Sequence, residues 1–270
     1  MHNKTIITVA PTGNVPNKDL NPFTPITPEE IAEDIYNCYL EGASVAHIHA
    51  RDETGSPATD PAVFQDIMER IRKKCDIIIQ LSTGARGGKL EDRGDCINLK
   101  PEMASMTTGS SNFPGAVNYN PPDLIESLAQ KMLEFDVKPE LEIFDLSMID
   151  TALYLLKKGL VKNPPHFNLV LNVPGSLKGS ARNLFILKES LPLQCTWTVT
   201  AIGKSHNNMS ALALILGGNV RVGIEDVLEL EKGRPASNLD LIKNIKAMAK
   251  MLNREIATPA EARAILGLAK

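Results

Sequence analysis

A chain of 270 residues suits one large domain or two small ones, and a hydrophobic fraction of 43% can bury a large core, which excludes disorder as the overall state. A net charge of −3 offers no basic surface to nucleic acid or to an anionic membrane. No stretch approaches the roughly 18 uninterrupted apolar residues of a membrane-spanning helix, and Met1-His2-Asn3-Lys4 runs into a strand-like segment without an apolar leader, so a cytoplasmic protein is expected.

Short β-branched runs then alternate with longer amphipathic stretches along the whole chain. The first predicted strand, Thr5–Ala10, leads into a Pro- and Asn-rich connection over 11–28, either a substrate-contacting loop or a plain surface loop. Thr27-Pro28-Glu29-Glu30 reads as a helix start, with an N-cap, a proline at N1 and a capping-box glutamate, and apolar spacing from Ile31 to Leu40 predicts the helix body. Strands follow at Val45–His49, Ile77–Ser82 and Glu102–Met106, then a helical pattern from Leu124 to Phe135. Lys138–Ile143 is the fifth strand, with Ser147 and Asp150 as a further capping pair. Asn168–Val173, Thr196–Ala201 and Val220–Val222 complete the series, and Thr258-Pro259-Ala260-Glu261 opens a short C-terminal helix.

Strands alternating with helices imply parallel βαβ units, and eight such units closing on themselves form a barrel. The predicted architecture is therefore a single (β/α)8 TIM-barrel catalytic domain over residues 1–270, with a short extra C-terminal helix. A doubly wound open sheet would carry a GxGxxG turn near its first strand, and none is present. Cys38, Cys75, Cys96 and Cys195 form no CxxC pair and read as reduced thiols.

His47-Ile48-His49 at the end of the second strand carries the strongest chemical signal. Side chains alternate along a strand, so both imidazoles point the same way, roughly 7 Å apart at Cα. Inward-facing and near the barrel's top, they can converge on one metal ion. A catalytic zinc takes about three protein ligands and leaves one position open. Glu225, in Arg221-Val222-Gly223-Ile224-Glu225-Asp226 after the last strand, is the third candidate, the alternative being a carboxylate that answers a helix dipole. Two histidines and a carboxylate also suit iron(II), and His206 is a further polar group on this face. Other strand ends are polar as well: Ser82-Thr83-Gly84-Ala85, then Ser105, Thr107 and Thr108, then Glu140 and Glu142, whose direction depends on register.

Taken together, ITVAPTG (7–13 with Ile6), PITPEEIA, HIHARD, QLSTG, LKPEMAS, SNF, PELEIFD, NVPGSLKG and RVGIED, in this order from the first strand to the C-terminal TPAEAR helix, resemble the β-keto acid cleavage enzyme family. The resemblance implies a zinc-dependent barrel, assembled as a homotetramer, that takes a β-keto acid and acetyl-CoA to acetoacetate and a new acyl-CoA. It implies Zn2+ on His47, His49 and Glu225, and a catalytic base Asp226 oriented by Arg221, which should hold that carboxylate ionised. Glu142 matches a further acidic residue of the catalytic site, and Ser82, Gly84, Ala85, Ser105 and Thr107 form the pocket for the substrate carboxylate. Where amine-substrate members carry a glutamate, this chain has Val15, and an ammonium buried without a partner is costly, so an amine-bearing substrate is not expected. Ala85, Ser105 and Val227 also depart from the family pattern, and Lys18 is available to an anionic tail. Two other readings stay open: a zinc hydrolase of the amidohydrolase type, which would need no acetyl-CoA, and a non-catalytic metal-binding barrel.

Overall fold

A computed structural model describes residues 4–84 and 92–268. Eight strands pair in chain order, all parallel: β1 (Ile7–Val9), β2 (Val45–Ile48), β3 (Ile78–Ser82), β4 (Met103–Thr107), β5 (Lys138–Ile143), β6 (His166–Leu171), β7 (Thr196–Ala201) and β8 (Asn219–Val222). Pairing of β8 with β1, Arg221 opposite Thr8, closes the barrel. Around it lie α1 (Pro28–Glu41), α2 (Pro61–Arg72), α3 (Pro122–Glu134), α4 (Ser147–Lys157), α5 (Ala181–Glu189), α6 (His206–Ile215) and α7 (Asn238–Met251), with α8 (Pro259–Leu266) at the end. Between β3 and β4 the described residues hold a 3-10 turn, Asp95–Leu99.

Alternation along each strand sorts the side chains into two sets. Ile48, Leu81, Met106, Leu141, Leu169, Val199 and Val220 belong to the large apolar cluster shared with Ile35, Ile67, Leu155 and Ile242 of the helices. Each fully buried aliphatic there contributes about 2 kcal/mol over an exposed one. Residues of the other parity face inward, and they are polar: Thr8, His47, Gln80, Ser82, Ser105, Thr107, Glu140, Asn168 and Arg221 are all buried. The register leaves Leu141 in the outer apolar layer and puts Glu140 and Glu142 beside Ser105 and Thr107. At the opposite end Val45, Ile78 and Met103 turn the same parity apolar and pack with Ala262 and Leu266 of α8. That helix plugs the bottom, which leaves the C-terminal mouth as the open end.

The expected caps at Thr27 and Thr258 form full capping boxes. Ser147 does not cap α4: Asp145 accepts from the Ser147 amide and hydroxyl, because a carboxylate two residues upstream reaches that orphan donor. The first strand also differs from its predicted span. Lys4–Thr5 pairs with Glu255–Ile256 in a separate two-stranded sheet, so only Ile7–Val9 enters the barrel. The sixth strand begins at His166, earlier than expected.

The closing seam is tight. A Cβ placed on Gly223 would stand 1.9 Å from the Ala10 carbonyl oxygen, and Ala10 donates to the Val222 carbonyl at 2.8 Å. Gly223→Ala must therefore separate two main chains rather than push aside a side chain. A loss on the order of 3 kcal/mol is expected, read as a lower urea midpoint at unchanged m-value.

Candidate metal centre and active site

His47 faces inward from β2, and the parallel register sets it beside Gln80 of β3. Its Nδ1 lies 2.6 Å from Gln80 Oε1. His49 follows the end of β2, and its Nδ1 lies 3.0 Å from Asn14 Oδ1 of the β1 loop. The two Nε2 atoms come within 3.1 Å of each other. Glu225, just past β8, brings Oε1 to 3.4 Å from His49 Nε2 and Oε2 to 3.8 Å from His47 Nε2. One ligand atom from each of the three residues lies within 4.8 Å of the others, the arrangement needed to hold one metal ion.

The chemistry of these donors fits a cation. Burial, together with the charge of Arg221, pushes the His47 pKa down to about 3, so the ring is neutral. Its Nδ1 proton goes to the Gln80 carbonyl oxygen, which leaves a bare lone pair on Nε2. Asn14 imposes the same sense on His49. Two lone pairs and a carboxylate then converge, and Glu225 Oε2, buried, has no hydrogen-bond donor among the described residues. Such a set is repulsive until a positive charge lies between its members.

Neighbouring backbone makes room for it. Gly13 takes φ +64°, and a Cβ on it would meet Glu225 Cγ at 2.5 Å. Arg51 holds this β1 loop from below, donating to the carbonyls of Gly13 (2.9 Å), Pro16 (2.7 Å) and Gly55 (2.8 Å). Sequence reasoning passed over Asn14, Gln80 and Arg51, although the last follows directly on His49-Ala50.

Arg221, buried on β8, grips Asp226 with two bonds, Nε to Oδ2 at 3.0 Å and Nη2 to Oδ1 at 3.1 Å. Its Nη2 also donates to Glu225, and Nη1 lies 3.7 Å from Glu142 Oε1. Thr107 donates to the other Glu142 oxygen at 2.8 Å. The adjacent carboxylates diverge electrically. Burial raises the Glu225 carboxyl, but the charge of Arg221 works against it, and the carboxyl is held well below the usual range. For Asp226, burial prevails over Arg221 and, with the charge of Glu225, pushes the carboxyl up to about 7. Arg221 lowers the Asp226 carboxyl as expected, but burial outweighs it. Burial likewise raises Glu142.

The remaining predicted residues sort by place. Ser82 and Ser105 are cross-strand partners, both buried, with Gly84 N–H donating to Ser82 Oγ at 3.1 Å and Thr83 Oγ1 to the Ser105 carbonyl at 2.8 Å. Ala85 lies outside the described residues. Val15 is 54% exposed, so its side chain belongs to no buried wall, while its neighbour Asn14 reaches the imidazole. Lys18 pairs with Glu30. Val227 is buried in the apolar cluster. His166 sits deeper, its Nε2 3.4 Å from Glu140 Oε2, and His206 is buried at the start of α6; neither belongs to the metal-holding group. An amidohydrolase-type site, which calls on further histidines, is not assembled among the described residues.

Removing the ligand atoms should remove the metal. Wild-type chain is expected to hold about one divalent ion per chain by elemental analysis, and His47→Ala, His49→Ala and Glu225→Gln to hold far less; a metal content unchanged in all three variants contradicts this geometry.

The family model described as beta-keto acid cleavage enzyme matches residues 4–268. The chain is 43% identical over 274 residues to the 3-keto-5-aminohexanoate cleavage enzyme of Fusobacterium nucleatum, covering 100% of both. It is 39% identical over 268 residues to the 3-oxoadipate:acetyl-CoA acetyltransferase of Cupriavidus necator, covering 97% of this chain and 94% of that protein. Among solved structures, apo ObcA shares the fold with a TM-score of 0.79 at 22% identity, over 92% of this chain and 66% of ObcA, so the chain spans about two thirds of that protein's length. From the first barrel strand to α8, this chain belongs to the β-keto acid cleavage enzyme family.

Proposed function

We propose that the chain is a zinc-dependent β-keto acid cleavage enzyme, an acyltransferase that condenses a β-keto acid with acetyl-CoA to give acetoacetate and a new acyl-CoA. The observation that carries this reading is the pairing of a His47–His49–Glu225 cluster with Asp226 held bidentate on Arg221. The acetyl-CoA part is supported by the Cupriavidus necator relative, named for that co-substrate.

His47, His49 and Glu225 would hold the zinc ion, which would supply Lewis acidity for a β-keto acid. The buried hydroxyls of Ser82 and Ser105, with the amide of Gly84, take the substrate carboxylate and aim C2 at Asp226. Asp226 removes the C2 proton, and a carboxylate whose pKa is raised toward 7 is a stronger base than an ordinary aspartate. Arg221 fixes its two oxygens so that it cannot swing away. Glu142, tied to Thr107 and facing Arg221, closes the acidic side of the site. Val15 offers no carboxylate to an ammonium, so a β-keto acid without an amine tail is the preferred substrate. In this reading residues 1–270 form one catalytic domain, working in the cytoplasm as a homotetramer; no helix among the described residues is long and apolar enough to cross a membrane.

Asp226→Asn is expected to lower turnover on the order of 10³-fold while the metal content stays at the wild-type level; activity within a few-fold of wild type would remove Asp226 from its role. The base works ionised, so kcat/KM should fall as pH is lowered and the Asp226 carboxyl, raised by burial, takes up a proton; an acid limb that persists unchanged in Asp226→Asn contradicts the assignment. A panel of β-keto acids assayed with and without acetyl-CoA, following acyl-CoA products by mass, tests the reaction itself. Turnover that is independent of acetyl-CoA points to a hydrolase.

A further inference from the structure

Asn238 is the first residue of α7, on the helix that follows the Glu225–Asp226 turn, and is fully buried. Its side-chain amide is saturated by groups that border the metal cluster. Oδ1 accepts from the Ile224 amide at 2.7 Å, one residue before Glu225. Nδ2 donates to the Pro11 carbonyl at 3.2 Å, in the loop that supplies Gly13 and Asn14, and to Asp34 Oδ2 of α1 at 2.6 Å.

These three bonds span the seam between the first and last strands. The Glu225 amide donates to the Ala10 carbonyl at 3.3 Å, and Gly13 leaves the Glu225 side chain a space that a Cβ would fill, so the two loops must keep one spacing for the carboxylate to meet the imidazoles. Asn238 sets that spacing from behind, since it joins an N–H on one loop to a C=O on the other. Such a bridge needs an acceptor and a donor on one short side chain, which asparagine provides and aspartate does not. Asp34 fixes the amide's orientation, because only the NH2 side can face a carboxylate.

We propose that Asn238, oriented by Asp34, is a positioning residue for the Glu225–Asp226 turn and thereby sets the affinity for the metal ion. The inference rests on the metal-dependent reading above. It adds two residues that touch neither metal nor substrate, on helices outside the barrel.

Its test is zinc affinity, measured on metal-free protein by competition with a chromophoric chelator, alongside the melting temperature of the same metal-free samples. Asn238→Ala and Asn238→Asp should weaken zinc binding by about 10- to 100-fold, the usual effect of losing a group that orients a ligand. In Asn238→Asp an oxygen faces both the Pro11 carbonyl and Asp34. Adding Asp34→Asn returns a donor from position 34, and the double variant should recover part of the zinc affinity. Asp34→Asn by itself, which still offers an acceptor, should weaken binding less than Asp34→Ala. A role in folding alone would lower the melting temperature of Asn238→Asp without a change in zinc affinity, and that result overturns the proposal. Failure of the double variant to regain affinity overturns the part given to Asp34. If Asn238→Ala does not fold, Asn238→Asp and Asp34→Ala decide the matter by the same measure. Wild-type protein that binds no zinc sinks the metal-dependent reading itself, whereas tight wild-type binding with unaltered variants sinks only the role of Asn238.

Discussion

One buried guanidinium shared among three carboxylates governs this site. Arg221 is bonded to Glu225 and twice to Asp226, and it faces Glu142, all inside the barrel mouth. Stripping that many charges of water is expensive, and a single positive charge does not balance three negative ones. The deficit has two outlets. One is a divalent cation among His47, His49 and Glu225. The other is a proton on a carboxylate that burial raises, Asp226 or Glu142. Glu225 and Asp226 are neighbours in sequence, yet the guanidinium holds the first ionised while burial raises the second. A ligand and a base thus arise from two adjacent carboxylates by environment alone.

The position of this cluster follows from how the barrel closes. Glu225 and Asp226 come from the end of β8, His47 and His49 from β2, and Gly13 and Asn14 from the β1 loop that lies between them. Closure pairs β8 with β1, so the site straddles the joint between the two ends of the sheet. Such a joint is where small errors in spacing accumulate, and the contacts there are correspondingly dense. Gly223 abuts Ala10, Arg51 gathers three carbonyls of the surrounding loops, and Asn21 donates to the carbonyls of Leu228 and Ala236 at 2.8 Å each. Rigidity in this region keeps the metal ligands in register with the base.

Beneath the site the interior stays polar rather than filling with aliphatic side chains. Glu140 accepts from Asn168 Nδ2 at 3.0 Å, and Asn168 accepts from Thr200 at 2.8 Å. Burial raises the Glu140 carboxyl, but the bond and charge of His166, with His47 and Arg221, outweigh it and hold it at about 2. A connected network of this kind tolerates low dielectric where single polar groups would not. The apolar seal is displaced to the two places that need it, the outer layer against the helices and the plug formed by α8.

Much of this was legible in the chain itself. β-branched runs and capping residues located the eight strands and helices α1, α3, α4 and α8, since those signals depend on neighbours a few positions apart. The HxH spacing committed both imidazoles to one face for the same local reason, and the blocks from ITVAPTG to RVGIED identified the family. Contacts between distant segments were not legible. Gln80 becomes the partner of His47 only through strand register, Asn14 reaches His49 only because the β1 loop folds inward, and Val15 beside it remains exposed. The raised pKa of Asp226 belongs to the same class. It depends on how many charges share Arg221 and how little water reaches them, and both are set by the closed barrel rather than by any local stretch of sequence.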